Sequence, residues 1–457
     1  MARNLLLVEF PWGRDKDPRV PLGHASLLAV LKNLSNVKFK SFVKPINSSD
    51  FSVKDVKQEI LYELSEFGEN TDIALGVYVW CEELVKSILT YLRANNFTGR
   101  IILGGPQISY SEAGLELIYP EADIFVRGYG EFALAELVTN SDKISHVGVH
   151  YAGNPDKQEQ TIVDLDLCPS PWLEGIIKLK NQSFIRWETQ RGCQFKCSFC
   201  QHKEAGSRLP KHIFNLNRIE HEIDLFCREK VPDIAILDPI FNSGKQSVKI
   251  LKRFSDNGYD GRLSIQCRAE MITDEFLQYA SKLNVRLEFG LQTIHENEGV
   301  AINRRNNFKM VQRNLCKVKD AGINFEVSVI YGLPEQTLAS FKRTIDWCLK
   351  MEVPVIKAFP LMLLRGTEIE KQKHVWGLIQ SDDTMPVVIK SDTFSNREWL
   401  QMGKISQVLK DTENNHPKSI ESLEELIDGS KRIQLERFQS VIDGLNPKID
   451  RKPININ

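Results

Sequence analysis

The sequence predicts an α/β protein: an N-terminal doubly wound, Rossmann-like parallel sheet, then a partial (β/α)6 barrel of the TIM type, then a C-terminal helical segment. Three observations carry this reading. Short apolar runs alternate with amphipathic helical patterns over the first 140 residues, a clearer strand–helix series begins near Phe184, and after about Gln380 only helical periodicity remains. Strand–helix alternation implies parallel pairing through right-handed crossovers, which gathers the strand C-terminal ends and their loops on one rim.

Leu5-Leu6-Leu7-Val8 is an unbroken apolar run, as expected for a strand buried on both faces. A helical pattern follows at Leu27, Leu28, Leu31 and Leu34. Further strands are predicted at 37–43, 73–79, 100–103 and 123–126, separated by helices at 53–67, 82–94 and 131–138. From 143 to 182 no period is sustained, and Asn154-Pro155 and Pro169-Ser170-Pro171 interrupt the chain. This stretch reads as a linker between a first unit, 1–142, and a second, 183–380.

In the second unit strands are predicted at 184–188, 234–237, 263–267, 286–289, 325–330 and 355–359. Three intervening helices show apolar residues at 3–4 spacing: Ile219, Ile223, Phe226 and Cys227; Phe308, Val311, Leu315 and Val318; Phe341, Ile345 and Leu349. Gly322 suits the left-handed position after the second of these. Region 381–457 reads as helices at 397–410, 420–427 and 433–442 followed by a loose tail from Asn446.

Composition narrows the function classes. The chain has 457 residues, about three units at roughly 150 residues each. Hydrophobic residues at 42% and charged ones at 26% are globular values, which excludes a disordered chain or a rod. A net charge of −1 without long runs of one sign argues against nucleic-acid or membrane-surface binding as the main role, though not against a local basic groove. The first apolar run is too short for a signal peptide, and nothing approaches the roughly 20 apolar residues of a membrane span. Nine cysteines, an odd number, fit a reducing compartment. The expectation is a cytoplasmic protein with no membrane partner.

Six cysteines are scattered singly, but Cys193, Cys197 and Cys200 form Cys-x3-Cys-x2-Cys on the loop after the first strand of the second series. Three thiolates on one short loop can wrap one metal centre, and thiolates suit iron–sulfur clusters and zinc. Three ligands on a four-iron cluster leave one iron open to a small molecule. The competing zinc reading completes a Cys3His site with His202, but structural zinc sites usually use two separated ligand pairs, and Cys227 stands alone on a predicted apolar helix face.

Cys193, Cys197 and Cys200, with Phe199 before the last cysteine, resemble the signature loop of the radical S-adenosylmethionine (SAM) superfamily, and the similarity runs from about Phe184 to Leu378. The resemblance implies a [4Fe-4S] cluster held by the three cysteines. Its open iron would take the amino and carboxylate groups of S-adenosylmethionine, which is then cleaved to a 5′-deoxyadenosyl radical. Glu288-Phe289-Gly290-Leu291-Gln292-Thr293 and Asn303-Arg304 look like a segment of the coproporphyrinogen-dehydrogenase-type branch. By that likeness Gln292 and Arg304 approach the methionine end of the cofactor, where a guanidinium matches a carboxylate. The bland alternative for Arg304 is a solvated helix-end arginine.

Ile330-Tyr331-Gly332-Leu333-Pro334-Glu335 resembles the fifth-strand motif, whose backbone near Gly332 lies along the adenine; alternatively it is a turn needing Gly and Pro for geometry alone. Arg365-Gly366-Thr367-Glu368 resembles the segment after the sixth strand. There are departures. Leu237-Asp238-Pro239 replaces the family's Gly-Gly-Glu, leaving Asp238 as the substitute carboxylate. Gln266-Cys267-Arg268 stands where the branch has a glutamate, so Arg268 is either a cofactor contact or a partner of Glu270 or Glu288. Ser328 replaces an aspartate.

Pro21-Leu22-Gly23, Leu103-Gly104-Gly105-Pro106 and Arg127-Gly128-Tyr129-Gly130-Glu131 together look like the cobalamin-binding domain that precedes many radical SAM enzymes. Gly104 and Gly105 at a strand end let backbone approach a bulky ligand. The Asp-x-His-x-x-Gly segment that supplies a cobalt ligand in another subgroup is absent, and His24 does not match it. The implied function is a cobalamin-dependent methyltransferase at an unactivated carbon of a small-molecule or peptide substrate, with a flavodoxin- or ferredoxin-type electron donor. A radical rearrangement, cyclisation or oxidative decarboxylation without methyl transfer is the second reading, and a zinc-stabilised binding module the third. The mixed charge of Leu400–Leu445 argues against RNA binding.

Overall fold

The computed structural model describes residues 3–68, 70–201 and 212–429. The first sheet comprises β1 (Asn4–Glu9), β2 (Phe39–Val43), β3 (Thr71–Gly76), β4 (Ile101–Gly104), β5 (Ile124–Val126) and β6 (Val149–Tyr151), in spatial order β2-β1-β3-β4-β5-β6. All neighbours are parallel except β5 and β6. The unbroken apolar run of β1 has a clear reason: Leu6 and Val8 join a core with helices Val53–Phe67 and Glu82–Ala94, while Leu5 and Leu7 face helices Leu22–Lys32 and Glu131–Thr139. The strand order reverses between β1 and β3, the point where such sheets open a crevice beyond their strand ends.

The second sheet holds β7 (Ile185–Trp187), β8 (Asp233–Ile236), β9 (Arg262–Cys267), β10 (Asn284–Gln292), β11 (Asn324–Tyr331) and β12 (Val355–Pro360), paired in sequence order and all parallel. This is an open, six-stranded (β/α) barrel sheet. In β10 the residues alternate: Val285, Leu287, Phe289 and Leu291 are buried in the apolar core, and Arg286, Glu288, Gly290 and Gln292 occupy the other face. Helix Asn396–Asp411, started by a capping box between Ser395 and Glu398, packs on the far edge and donates Ser406 Oγ–H to the Ala358 carbonyl at 2.7 Å. His416 accepts the edge-strand N–H of Ile356 at 3.2 Å, which blunts an otherwise open edge.

The predicted linker is packed along much of its length. Its Val149–Tyr151 pairs antiparallel with β5, and Trp172, Ile177 and Leu179 are buried in the barrel's core. A three-residue strand is too short to show a period, so the sheet of the first unit continues past the predicted boundary at 142. The predicted helix 433–442, the tail and His202 lie outside the described residues. No helix among the described residues is long and apolar enough to cross a membrane.

Candidate active site at two facing rims

The cysteine loop leaves β7 through a short ladder between Gln190–Arg191 and His212–Ile213. A neighbouring barrel loop holds it through Ser198 N–H, which donates to the Ile302 carbonyl at 2.9 Å, and through the Asn303 side chain, whose Nδ2 donates to the Lys196 carbonyl at 2.8 Å; within the loop, Cys200 N–H donates to the Cys197 carbonyl at 3.2 Å. Cys197 is buried, Cys193 and Cys200 are half-buried, and Phe199 packs against the core. Burial pushes the Cys193 thiol up, and nearby Cys197 adds to this, while Arg268 and Arg304 act in the opposite sense. Among the described residues no three Cys, His, Asp or Glu side chains are gathered tightly enough to form a metal site by themselves.

Two guanidinium groups border the thiols. Arg304 Nη1 lies 3.7 Å from Cys197 Sγ, and Nη2 donates to the Gly290 carbonyl. Arg268 lies over the Phe195 ring at 3.9 Å and reaches Glu270 only at 3.4 Å. Burial and the Arg304 charge press Arg268 below the ordinary guanidinium range. The site therefore carries excess positive charge, which thiolates or a carboxylate would offset.

Gln292 ends β10 at a register shift, with a left-handed φ of +69°. Such an outlier costs about 1–3 kcal/mol and often marks a ligand site. A side chain at Gly290 would meet Gln292 Nε2, the free end of that side chain, at 2.8 Å, so the folded-back Gln292 would have to shift. Gln292 Oε1 and Arg304 Nε are buried without a hydrogen-bond partner among the described residues. An acceptor and a donor left over beside three thiols fit the amino and carboxylate groups of an amino-acid ligand.

The remaining predicted residues take distinct places. Asp238 is buried and turned onto the strand end before the cysteine loop: Oδ1 accepts the N–H of Thr189 at 2.7 Å and of Gln190 at 3.2 Å, and Oδ2 accepts the Thr189 hydroxyl. Its carboxylate is thus engaged in holding that strand. Glu288 stands beside Glu326 in register; burial, then Glu326, raises its pKa, against Lys357 and Arg286. Ser328 pairs with Gly290 and Lys357 across the sheet. Gly332 has φ +88° and donates its N–H to Gln336 Oε1 at 2.7 Å.

The first sheet presents a rim of another kind. A cleft of about 430 Å³ is lined on one side by the strand ends and glycines 23, 76, 104, 105, 128 and 130. The other side is Glu188, Gln190, Arg191 and Gly192, the residues leading into Cys193, with Leu237 and Pro239. Gly105 has φ +95°, and a Cβ there would lie 2.9 Å from the Val77 carbonyl oxygen. His24 lines the cleft with both ring nitrogens engaged, Nε2 by Ser41 Oγ at 2.8 Å and Nδ1 by Glu9 at 3.3 Å. Arg191 fastens the two sides together, pairing with Glu131 at 2.6 Å and Glu188 at 2.8 Å.

Residues 187–348 match the family model described as the Radical SAM superfamily. This part of the chain is a radical SAM domain. Such domains work with a [4Fe-4S] cluster and S-adenosylmethionine, and the thiol loop, cationic border and leftover polar atoms are chemically suited to both. Over 303 residues the chain is 24% identical to the cobalamin-dependent radical SAM methyltransferase TokK of Streptomyces tokunonensis, covering 59% of this chain and 43% of TokK. The chain spans less than two thirds of the length of the curated relatives it matches.

Two solved structures share the architecture. The radical S-adenosylmethionine methyltransferase TsrM of Kitasatospora setae superposes with a TM-score of 0.65 at 16% identity, covering 85% of this chain and 80% of TsrM. The cobalamin-dependent S-adenosylmethionine radical enzyme OxsB gives 0.68 at 14% identity, covering 98% of this chain and 73% of OxsB. At these identities the likeness establishes the fold: a Rossmann-like sheet followed by an open six-stranded (β/α) barrel.

Sequence reasoning singled out the cysteine loop, the Gly-Gly rim, Gln292 and Arg304. It assigned no role to Tyr78, Arg191 and Leu237, which line the cleft. Arg191 had a readable signal, a cation two residues before the first cysteine. Tyr78 and Leu237 are ordinary strand-end residues until the two units are brought together.

Proposed function

We propose that the chain is a cobalamin-dependent radical SAM methyltransferase acting at an unactivated carbon of a small-molecule or peptide substrate. One observation carries this reading: the glycine-lined cleft of the first unit is completed by Glu188–Gly192, the segment leading into Cys193. A large ligand on the first rim would thus lie next to the cluster loop. When bound, the cluster with S-adenosylmethionine supplies hydrogen-atom abstraction and cobalamin supplies the methyl group.

The chain's own residues would do the rest. Cys193, Cys197 and Cys200 hold the cluster. Arg304 and Gln292 bind the carboxylate and amino groups of S-adenosylmethionine, and Arg268 adds positive charge beside the thiolates. Ser328, Glu288 and the Gly332 backbone face the nucleoside part. Asp238 acts through the strand it anchors. Gly104 and Gly105 give the corrin room. Cytoplasmic residence and a flavodoxin- or ferredoxin-type donor complete the proposal.

The test is the ultraviolet–visible spectrum, with iron, sulfide, zinc and cobalt assays, of protein isolated without oxygen from cobalamin-fed cells. Iron–sulfur absorption with stoichiometric corrin is expected. A cluster without corrin overturns the methyltransferase in favour of radical chemistry without methyl transfer. About one zinc with no iron or sulfide overturns the enzyme reading altogether.

A further inference from the structure

The Arg365-Gly366-Thr367 segment follows β12 and takes part in nothing described so far, yet it touches both rims. Arg365 Nη2 donates to the two carboxylate oxygens of Glu82 at 2.9 and 3.0 Å. Its Nη1 donates to the Gln107 carbonyl at 3.1 Å and the Ser111 hydroxyl at 3.3 Å. Glu82 also accepts from the Gln107 amide at 2.5 Å and the Tyr119 hydroxyl at 2.8 Å. Gln107 lies in the short helix Pro106–Ser109, which continues directly from Gly104-Gly105. The guanidinium therefore grips the glycine rim from behind.

The backbone around Arg365 holds the cysteine loop. Gln201 Nε2 donates to the Arg365 carbonyl at 2.8 Å, and Ile369 N–H donates to the Ser198 carbonyl at 3.0 Å. The Tyr110 hydroxyl of the first unit donates to the Gln201 carbonyl. Gly366, at φ +71°, would place a Cβ 2.2 Å from the Tyr110 carbonyl oxygen. The two units meet here with no room for a side chain.

We infer that Arg365 is a positioning residue that fixes the cysteine loop relative to the glycine rim; its consequence for catalysis rests on the two-cofactor reading above. Units joined only by surface contacts move relative to one another by default. An exposed ion pair would do little to prevent that, but here one guanidinium nitrogen contacts both Glu82 oxygens while the other binds Gln107 and Ser111, and the Glu82 side chain is only 10% exposed. Removing Arg365 leaves the Glu82 carboxylate without its cation in a largely desolvated place. Burial opposes ionisation of Glu82, yet Gln107, Arg365 and Tyr119 together hold it below the ordinary carboxylate range. Geometry between reacting groups matters steeply, since a misplacement of about 1 Å can cost on the order of 100-fold in rate.

Hydrogen–deuterium exchange on the full chain, kept anaerobic with its metal, tests this without a substrate. In Arg365→Gln, peptides spanning 193–201 and 104–111 are expected to exchange about tenfold faster together, with iron content and the rest of the chain unchanged. The milder Glu82→Gln should show the same pair of peptides to a lesser degree, and the charge-swapped pair E82R/R365E should restore protection. Faster exchange confined to residues next to 365, no change at 193–201, or a uniform rise across the chain would overturn the inference. None of these readouts depends on corrin, so the inference can fail while the proposed function stands, and the reverse.

Discussion

The two rims solve the problem of holding a ligand in opposite ways. Both sit at the C-terminal ends of parallel strands. The first sheet offers few reactive side chains there: six glycines open a cleft whose other lining is largely apolar, with His24, Tyr78 and Glu131 among it. The barrel offers side chains with chemistry, three thiols bordered by two guanidinium groups and an unpartnered amide oxygen. A rim shaped by absence suits something large whose affinity comes from area and fit. A rim built of charges suits a small centre whose affinity comes from bonds and electrostatics. The difference predicts that the two sites will fail separately under mutation.

The largest effect is expected from Cys197→Ala. Losing one of three cluster ligands should exceed the roughly 10- to 100-fold penalty typical of an outer-shell change. Iron and sulfide should fall to background and no 5′-deoxyadenosine should form from S-adenosylmethionine, while the corrin proposed for the glycine cleft stays bound. Wild-type iron and cleavage in this variant would refute the cluster assignment. A parallel loss of corrin would refute the independence of the two rims.

Gly105→Ala breaks the comparison from the other side. The residue holds φ +95°, and the added Cβ would press on the Val77 backbone, with its carbonyl oxygen at 2.9 Å and its nitrogen at 3.0 Å. Backbone cannot swing aside as a side chain can, so a cost of about 1–2 kcal/mol is expected. Corrin retention should drop while iron content stays. Gly104→Ala is the control, since its Cβ would meet only the Val126 carbonyl oxygen at 3.6 Å. Equal corrin loss in both variants would mean that cleft volume, and not the Gly105 backbone, decides binding.

Much of this was legible in the sequence because it is local. The buried strand Leu5–Val8 follows from its unbroken apolar run and the helices Val53–Phe67 and Glu82–Ala94 from periodicity, and the three cysteines fall within eight consecutive residues. What was not legible depends on chain segments far apart. Arg365 and Glu82 are 283 positions apart, and no pattern near either one announces the pair. Val149–Tyr151 is a strand only because β5 offers it an edge. In the sequence Asp238 reads as a substitute cofactor carboxylate because it stands after β8 in the place of the Gly-Gly-Glu segment, but its orientation depends on where the Thr189 and Gln190 N–H groups point, which is tertiary information.

That orientation gives the mildest test, one in which no cofactor is lost. Burial raises the Asp238 carboxyl to about 7, against the pull of Thr189 and Gln190 hydrogen bonds. Unfolded, it titrates near 4. Between these values the folded chain holds a proton that the unfolded chain has released, so this group's contribution to stability declines as pH rises from about 4 to about 7. Asn fills the same space, accepts the same two N–H groups through its carbonyl, donates to the Thr189 hydroxyl, and stays neutral. In Asp238→Asn, the drop in urea midpoint between pH 5 and pH 7.5 should be smaller than in the wild type. The two proteins should converge at the acid end. Identical slopes would mean that Asp238 is ionised in the fold, and a carboxylate charge beside the cysteine loop would then have to enter the electrostatics of the barrel rim.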